Sequence, residues 1–259
     1  MAIDHAWFAD RTDDFKASVA FLTRLPLPRT EPITGAGTAR AVWAFPIAGL
    51  LVGLIGALVF VLARRAGLPA WPGAALALVA TIAVTGCLHE DGLADTADGF
   101  GGGKTRQQKL DIMRDSRTGA YGVCALALSI LLRASALASL SDPALVVPAL
   151  IAAHGAGRAT MPMLMLLAPP ARADGLSYEF GRPPRDSVVA AAILGILLLT
   201  ICLGPALAVA AIVLLVAVTA AVTWLSVAQI GGQTGDVLGA LEQVSEIVIL
   251  LVALRLVRV

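Results

Sequence analysis

The chain has 259 residues, 58% of them hydrophobic and 14% charged, with a formal net charge of +1 and a mean hydropathy of +0.84. Soluble domains average about 45–50% apolar and about 25% charged residues, so this composition excludes an ordinary soluble globule. The near-neutral balance gives no global basic signal for nucleic acid, which is not an expected partner.

The apolar residues gather into long runs with almost no charge, and about 18 such residues can cross bilayer hydrocarbon as a helix. The expected fold is all-α: a polytopic transmembrane bundle of about six or seven spans, one integral-membrane domain over residues 1–259. The first 40 residues lack the apolar region of a signal peptide. Asp10 to Asp14 reads as a solvated stretch, and Phe15 to Leu25 as a short amphipathic helix at the membrane surface. Spans are expected near Val42–Ala63, Trp71–Leu88, Gly119–Leu140, Pro143–Ala168, Val188–Leu203, Pro205–Ala228 and Glu242–Val257. The last is the weakest, because Glu242 and Glu246 cut into it. Pro162 is expected to kink the fourth. Cys87, Cys124 and Cys202 have no metal spacing and read as buried packing thiols.

Lysines and arginines flanking the spans set the orientation. With the N-terminus in the cytoplasm, Arg11, Lys16, Arg24, Arg29, Arg40, Lys104, Arg106, Lys109, Arg114, Arg117, Arg172, Arg182 and Arg185 fall inside. Only Arg64, Arg65, Arg255 and Arg258 fall outside, while Arg133 and Arg158 lie within spans. The longer polar connections, 89–118, 169–187 and 229–241, then share the cytoplasmic face, and the opposite connections are short. That asymmetry fits an enzyme better than a transporter, which needs polar access from both sides.

The stretch His89 to Gly103 concentrates the chemistry. Asp91, Asp95 and Asp98 are spaced i, i+4, i+7 and fall on one face if the helix continues past Leu88. Three stacked carboxylates repel unless a cation holds them, and hard oxygen donors suit Mg²⁺ or Mn²⁺ together with substrate phosphate. His89 and Glu90 can support such a site or handle a proton. Gly99, Gly101, Gly102 and Gly103, followed by Lys104 and Arg106, suggest a phosphate cradle in which glycines adopt positive φ, although no P-loop pattern is present. Arg114 and Arg117, around Asp115, fit bidentate phosphate recognition or plain positive-inside anchoring. His154 and Arg158, i and i+4 within the fourth span, are expected either to line a wet substrate cavity or to bond between helices. Asp236, in the glycine-rich segment Gly231 to Gly239, adds a carboxylate on the same side. Glu242 and Glu246 either face that pocket or pack between helices.

Taken together, the blocks Phe21-Leu22-Thr23-Arg24-Leu25-Pro26, Phe45-Pro46-Ile47-Ala48-Gly49, His89–Gly103, Arg114–Gly122, His154 to Arg158 and Gly231–Gly239 resemble the cobalamin synthase family of adenosylcobinamide-GDP ribazoletransferases. The resemblance implies a Mg²⁺-dependent transferase of the bacterial inner membrane with its active site facing the cytoplasm. Such an enzyme joins adenosylcobinamide-GDP to α-ribazole, or to its 5′-phosphate, and releases GMP. It implies Mg²⁺ held by Asp91, Asp95 and Asp98, with Asp236 completing the metal site or orienting the ribazole. Glu90 or His89 then takes the hydroxyl proton, and the glycines, Lys104, Arg114 and Arg117 hold phosphate. A homo-oligomer or contact with other cobalamin-pathway enzymes is compatible with it. Two alternatives are a CDP-alcohol phosphotransferase, whose motif lacks its arginine here at Asp95, and a cation transporter.

Overall fold

The structure is a computed structural model describing residues 5–27 and 36–257; Arg29 and Arg258, counted for orientation above, lie outside the described residues. The described residues form α1 (His5–Leu22), α2 (Ala36–Ala41), a 3₁₀ turn (Val42–Ala44), α3 (Phe45–Arg65), α4 (Ala70–Thr85), α5 (Leu88–Gly102) and α6 (Arg106–Ile112). There follow α7 (Ala120–Leu140), α8 (Pro143–Leu167), α9 (Leu176–Phe180), α10 (Arg185–Leu203), α11 (Pro205–Ile230), α12 (Gly235–Ala253) and a final 3₁₀ turn (Leu254–Leu256). The only β-type pairing among them is an isolated bridge between Pro170 and Gln233.

Among the described residues, six helical stretches are long and apolar enough to cross a membrane: Thr38–Arg65, Ala120–Leu140, Pro143–Leu167, Arg185–Leu203, Pro205–Ile230 and Gly235–Leu256. Their outward faces carry large apolar side chains such as Leu58, Leu131, Ile201 and Trp224, the surface that lipid covers. Helix α4, at about 24 Å for 16 residues, is a shorter seventh crossing. It packs along α3 and returns to the end where the chain began, since the Arg24 amide donates to the Val84 carbonyl at 2.6 Å.

The expected second span does not run on past Leu88. Gly86 and Cys87 both adopt left-handed φ, 64° and 61°, and the axis turns by 88° between α4 and α5. Helix α5 therefore lies across the end of the bundle, outside the crossings, packed on α12 and α7. Glycine makes the first left-handed residue easy; Cys87 takes the second at a cost of about 1–2 kcal/mol.

Close helix approach depends on missing β-carbons. A β-carbon at Gly53 would meet the Leu150 carbonyl of α8 at 2.7 Å, and one at Gly49 would overlap the His154 carbonyl. Helix α8 continues through Pro148 and Pro162 without interruption. The span that looked weakest, α12, is the most interior, with 72% of its apolar window buried against 22% for α11. Its glutamates point into the protein, not into lipid.

Three further expectations need correction. Asp14 is not solvated: it is buried and accepts from Arg40 Nε at 3.0 Å and from Trp43 Nε1 at 3.1 Å. The surface helix at the N-terminus runs His5–Leu22, with Val19 and Leu22 packed into the core. Cys87 and Cys124 are exposed and Cys202 is half-buried, so the first two are not packing thiols.

Candidate active site

One end of the bundle gathers the chemistry, and its geometry begins with the crossing of α5 and α12. A β-carbon at Gly92 would sit 2.7 Å from the Asp236 carbonyl, and one at Gly239 would sit 3.2 Å from His89 Cα. Two glycines thus let the backbones touch, and the contact sets Asp91 and Asp95 beside Asp236. The loop before α12 is fixed to the α8–α9 connection. The Ala171 amide donates to Gln233 O and the Gln233 amide to Pro169 O, both at 2.8 Å, and Ser177 Oγ donates to Gln233 Oε1 at 2.6 Å. Thr234 then caps α12 and also donates to Asp236 Oδ2 at 3.1 Å.

A cavity of about 150 Å³ opens at this crossing. His89, Asp91 and Asp236 line its polar side, and Phe21, Phe45, Phe180, Met161 and Met165 its apolar side. Asp95 stands one turn along α5. Burial, then the carboxylates of Asp91, Asp236 and Asp98, push its carboxyl up to about 7, against a weaker opposing pull from Arg172. The arrangement is short of positive charge, as a site built for a hard cation is. Asp98 differs from its neighbours. It is buried, and its two oxygens accept the Gly119 amide at 2.7 Å and the Gly122 amide at 2.9 Å. These are orphan donors at the start of α7, and a carboxylate there also favours the helix dipole.

The pair left open at the sequence level, His89 and Glu90, separates here. Glu90 turns away from the cavity and accepts from Arg133 Nη2 at 3.1 Å. His89 lines the cavity. Its Nδ1 faces Arg158 Nη2 at 3.3 Å and Glu242 Oε2 at 3.7 Å, and its Nε2 is buried without a partner.

His154 and Arg158 do not line a wet cavity. They belong to a buried ionic network joining α5, α7, α8 and α12. Arg133 also donates to Glu246 at 3.1 Å; Arg158 pairs with Glu242 and, at 3.2 Å, with Glu246; His154 Nδ1 contacts Glu246. Among the described residues, His154, Glu242 and Glu246 are the one trio of potential ligands whose donor atoms lie within 4.8 Å of one another. The guanidiniums of Arg133 and Arg158 lie against the two carboxylates, and Glu242 Oε1 has no hydrogen-bond partner. The carboxylates of Asp91, Asp95 and Asp236 do not come together this closely.

The glycine run is not a positive-φ cradle. Gly99, Gly101 and Gly102 are helical, Gly103 is extended at φ −85°, and none of the four has positive φ. They make room for neighbours: added β-carbons would crowd Met113 at Gly99, the Tyr121 ring at Gly101 and the Lys109 backbone at Gly103. The Lys104 and Thr105 amides are taken by Gln108 Oε1, at 3.1 and 3.2 Å. Arg114 pairs with Asp174. Arg117 donates to Asp115, and that guanidinium holds the Asp115 carboxyl down at about 2. Lys104, Arg114 and Arg117 are absent from the cavity wall.

Arg172 was visible in the sequence only as an orientation signal. Its guanidinium lies 3.8 Å from Asp236 Oδ2 and 3.7 Å from Asp174 Oδ1, and its Nη1 is buried without a partner. It is a cation that acts on both Asp95 and Asp236, and nothing in its sequence surroundings distinguished it from the other loop arginines.

A model of the cobalamin-5-phosphate synthase family matches residues 14–254. The chain belongs to this family. It is 57% identical to the adenosylcobinamide-GDP ribazoletransferase of Mesorhizobium japonicum, over 93% of this chain and 92% of the relative. Identity to the protein of the same name from Bradyrhizobium diazoefficiens is 55%, over 93% and 92%, and to that from Ralstonia nicotianae 40%, over 92% and 93%. No solved structure matches. Neither the CDP-alcohol phosphotransferase nor the transporter reading is supported.

Proposed function

We propose that this membrane protein is a Mg²⁺-dependent adenosylcobinamide-GDP ribazoletransferase. In this reading a hydroxyl of the ribose in α-ribazole, or in its 5′-phosphate, attacks the phosphorus that carries the cobinamide. An O–P bond forms there, the bond from that phosphorus to the bridging oxygen breaks, and GMP leaves with that oxygen.

One observation carries the assignment of residues: His89, Asp91 and Asp236 line the same cavity, with Asp95 beside them and short of positive charge. Asp91, Asp95 and Asp236 are the donors for Mg²⁺, which when bound neutralises charge on the diphosphate and the departing GMP. Asp98, committed to the α7 amides, supports the site from behind. His89 receives the hydroxyl proton at Nε2, in the tautomer whose Nδ1–H is turned to the Glu242 carboxylate. Arg172, with a free N–H directed from a buried position, steadies a phosphate oxygen.

Orientation follows from charge. Lys104, Arg106, Lys109, Arg114, Arg117, Arg172, Arg182 and Arg185 surround the site end, and Arg64, Arg65 and Arg255 lie at the other. This asymmetry supports a site on the cytoplasmic face of an inner membrane.

The test uses the purified protein in lipid with adenosylcobinamide-GDP and α-ribazole 5′-phosphate. GMP release matched by cobalamin 5′-phosphate formation, and abolished by a chelator, is the expected result. Metal-independent release contradicts the cation assignment, and no release with either acceptor contradicts the activity.

A further inference from the structure

The apolar half of the active-site cavity takes no part in the metal or proton chemistry above. Three phenyl rings from distant parts of the chain meet there. Phe21 ends α1, Phe45 begins α3 and Phe180 ends α9. Phe21 and Phe180 have ring centroids 4.5 Å apart at 53°, and Phe21 and Phe45 lie stacked at 6.1 Å and 18°. Met161 and Met165 of α8 complete the wall. Such a lining offers ring faces and polarisable sulfur.

Its polar inventory is small. The Ser177 hydroxyl is already donated to Gln233, and the remaining polar side chains on the wall, His89, Asp91 and Asp236, are taken by the metal and the proton in the reading above. A base with amino or carbonyl groups on its edge would bury them unpaired, while a flat base with apolar edges loses nothing. The cavity, about 150 Å³, is of the size that holds a single aromatic ring in an engineered protein cavity.

We infer that Phe21, Phe45, Phe180, Met161 and Met165 form the acceptor-base subsite, which seats the dimethylbenzimidazole of α-ribazole and selects against bases with polar edges. The inference rests on the transferase reading and deepens it. A base held among these rings directs its ribose out toward His89, Asp91 and Asp236, where the hydroxyl proton is taken. The bulky cobinamide and the guanosine lie outside this pocket.

The test is equilibrium binding of α-ribazole and, separately, of adenosylcobinamide-GDP to the protein in lipid, before and after Phe180→Ser and Met165→Ser. Stacking on an aromatic side chain is lost about 10-fold or more on truncation. We expect α-ribazole binding to weaken by about that factor in both variants, with donor binding unchanged, and the adenine α-riboside to bind the parent at least about 10-fold more weakly than α-ribazole. Unchanged α-ribazole binding in the variants, equal loss of donor binding, or equal affinity for the adenine analogue overturns the subsite. Absence of α-ribazole binding by the unsubstituted protein overturns the transferase reading as well.

Discussion

Gly92 of α5 faces the backbone of Asp236 at the start of α12, with room for a hydrogen and nothing larger: a β-carbon would stand 2.7 Å from the Asp236 carbonyl oxygen. The contact sets the spacing of the carboxylates. Gly92→Ala is expected to destabilise the protein by about 1–3 kcal/mol through overpacking and to weaken Mg²⁺ binding by moving Asp236 off Asp91. Gly239→Ala, whose β-carbon meets His89 Cα at 3.2 Å, is expected to be milder on both counts. Thermal unfolding in detergent and Mg²⁺ titration of each variant check this ranking.

The buried network gives a second prediction. Arg133 joins Glu90 to Glu246 at 3.1 Å on each side, and all three are buried. Arg133→Met leaves buried Glu90 without its partner, while Glu246 keeps Arg158 and His154, and is expected to cost about 3–5 kcal/mol. Adding Glu90→Gln removes the stranded charge and recovers part of that loss. Denaturation of the single and double variants reads the difference; no recovery would place Glu90 in contact with other groups.

Asp98 and Asp95 are expected to part company. Asp98→Asn keeps one acceptor for the two amides at the start of α7 and turns its NH₂ toward the other, costing about 1–3 kcal/mol of stability while Mg²⁺ affinity is largely kept. Asp95→Asn does the reverse, losing cation affinity with little loss of fold. Equal Mg²⁺ loss in the two variants would return Asp98 to the metal.

The carboxyl of Asp95 also sets a pH dependence. Its folded value of about 7 lies above the ordinary unfolded value of about 3.9. Between these, the folded protein holds a proton that the unfolded chain has lost, so stability falls as pH rises through that window. In metal-free protein, Asp95→Asn should therefore melt above the parent at pH 8, with the gap narrowing toward pH 5. Thermal melts with a chelator present test it; a gap that widens on acidification contradicts the assignment.

These residues also mark what the sequence could disclose. The apolar runs reflect the bilayer directly, so the crossings were legible. The i, i+4, i+7 spacing identified Asp91, Asp95 and Asp98 as a group, but that Asp98 caps α7 depends on where Gly119 and Gly122 come to rest. Glycines beside basic residues looked like a cradle because missing side chains serve anions and close helix packing equally well. Choosing between His89 and Glu90 needed Arg133, 43 residues away from Glu90. The phenyl wall joins residues from three unconnected segments, and no local pattern announces it.

The most direct test of the central claim compares Asp91→Asn with Glu90→Gln in the GMP-release assay at saturating Mg²⁺. Asp91→Asn is expected to lose at least about 10²-fold in rate, about 2.7 kcal/mol of barrier, while Glu90→Gln, acting only through Arg133, keeps much of its activity once folded. Activity that survives Asp91→Asn, or a loss confined to Glu90→Gln, would contradict the placement of the chemistry on the carboxylates of α5 and α12.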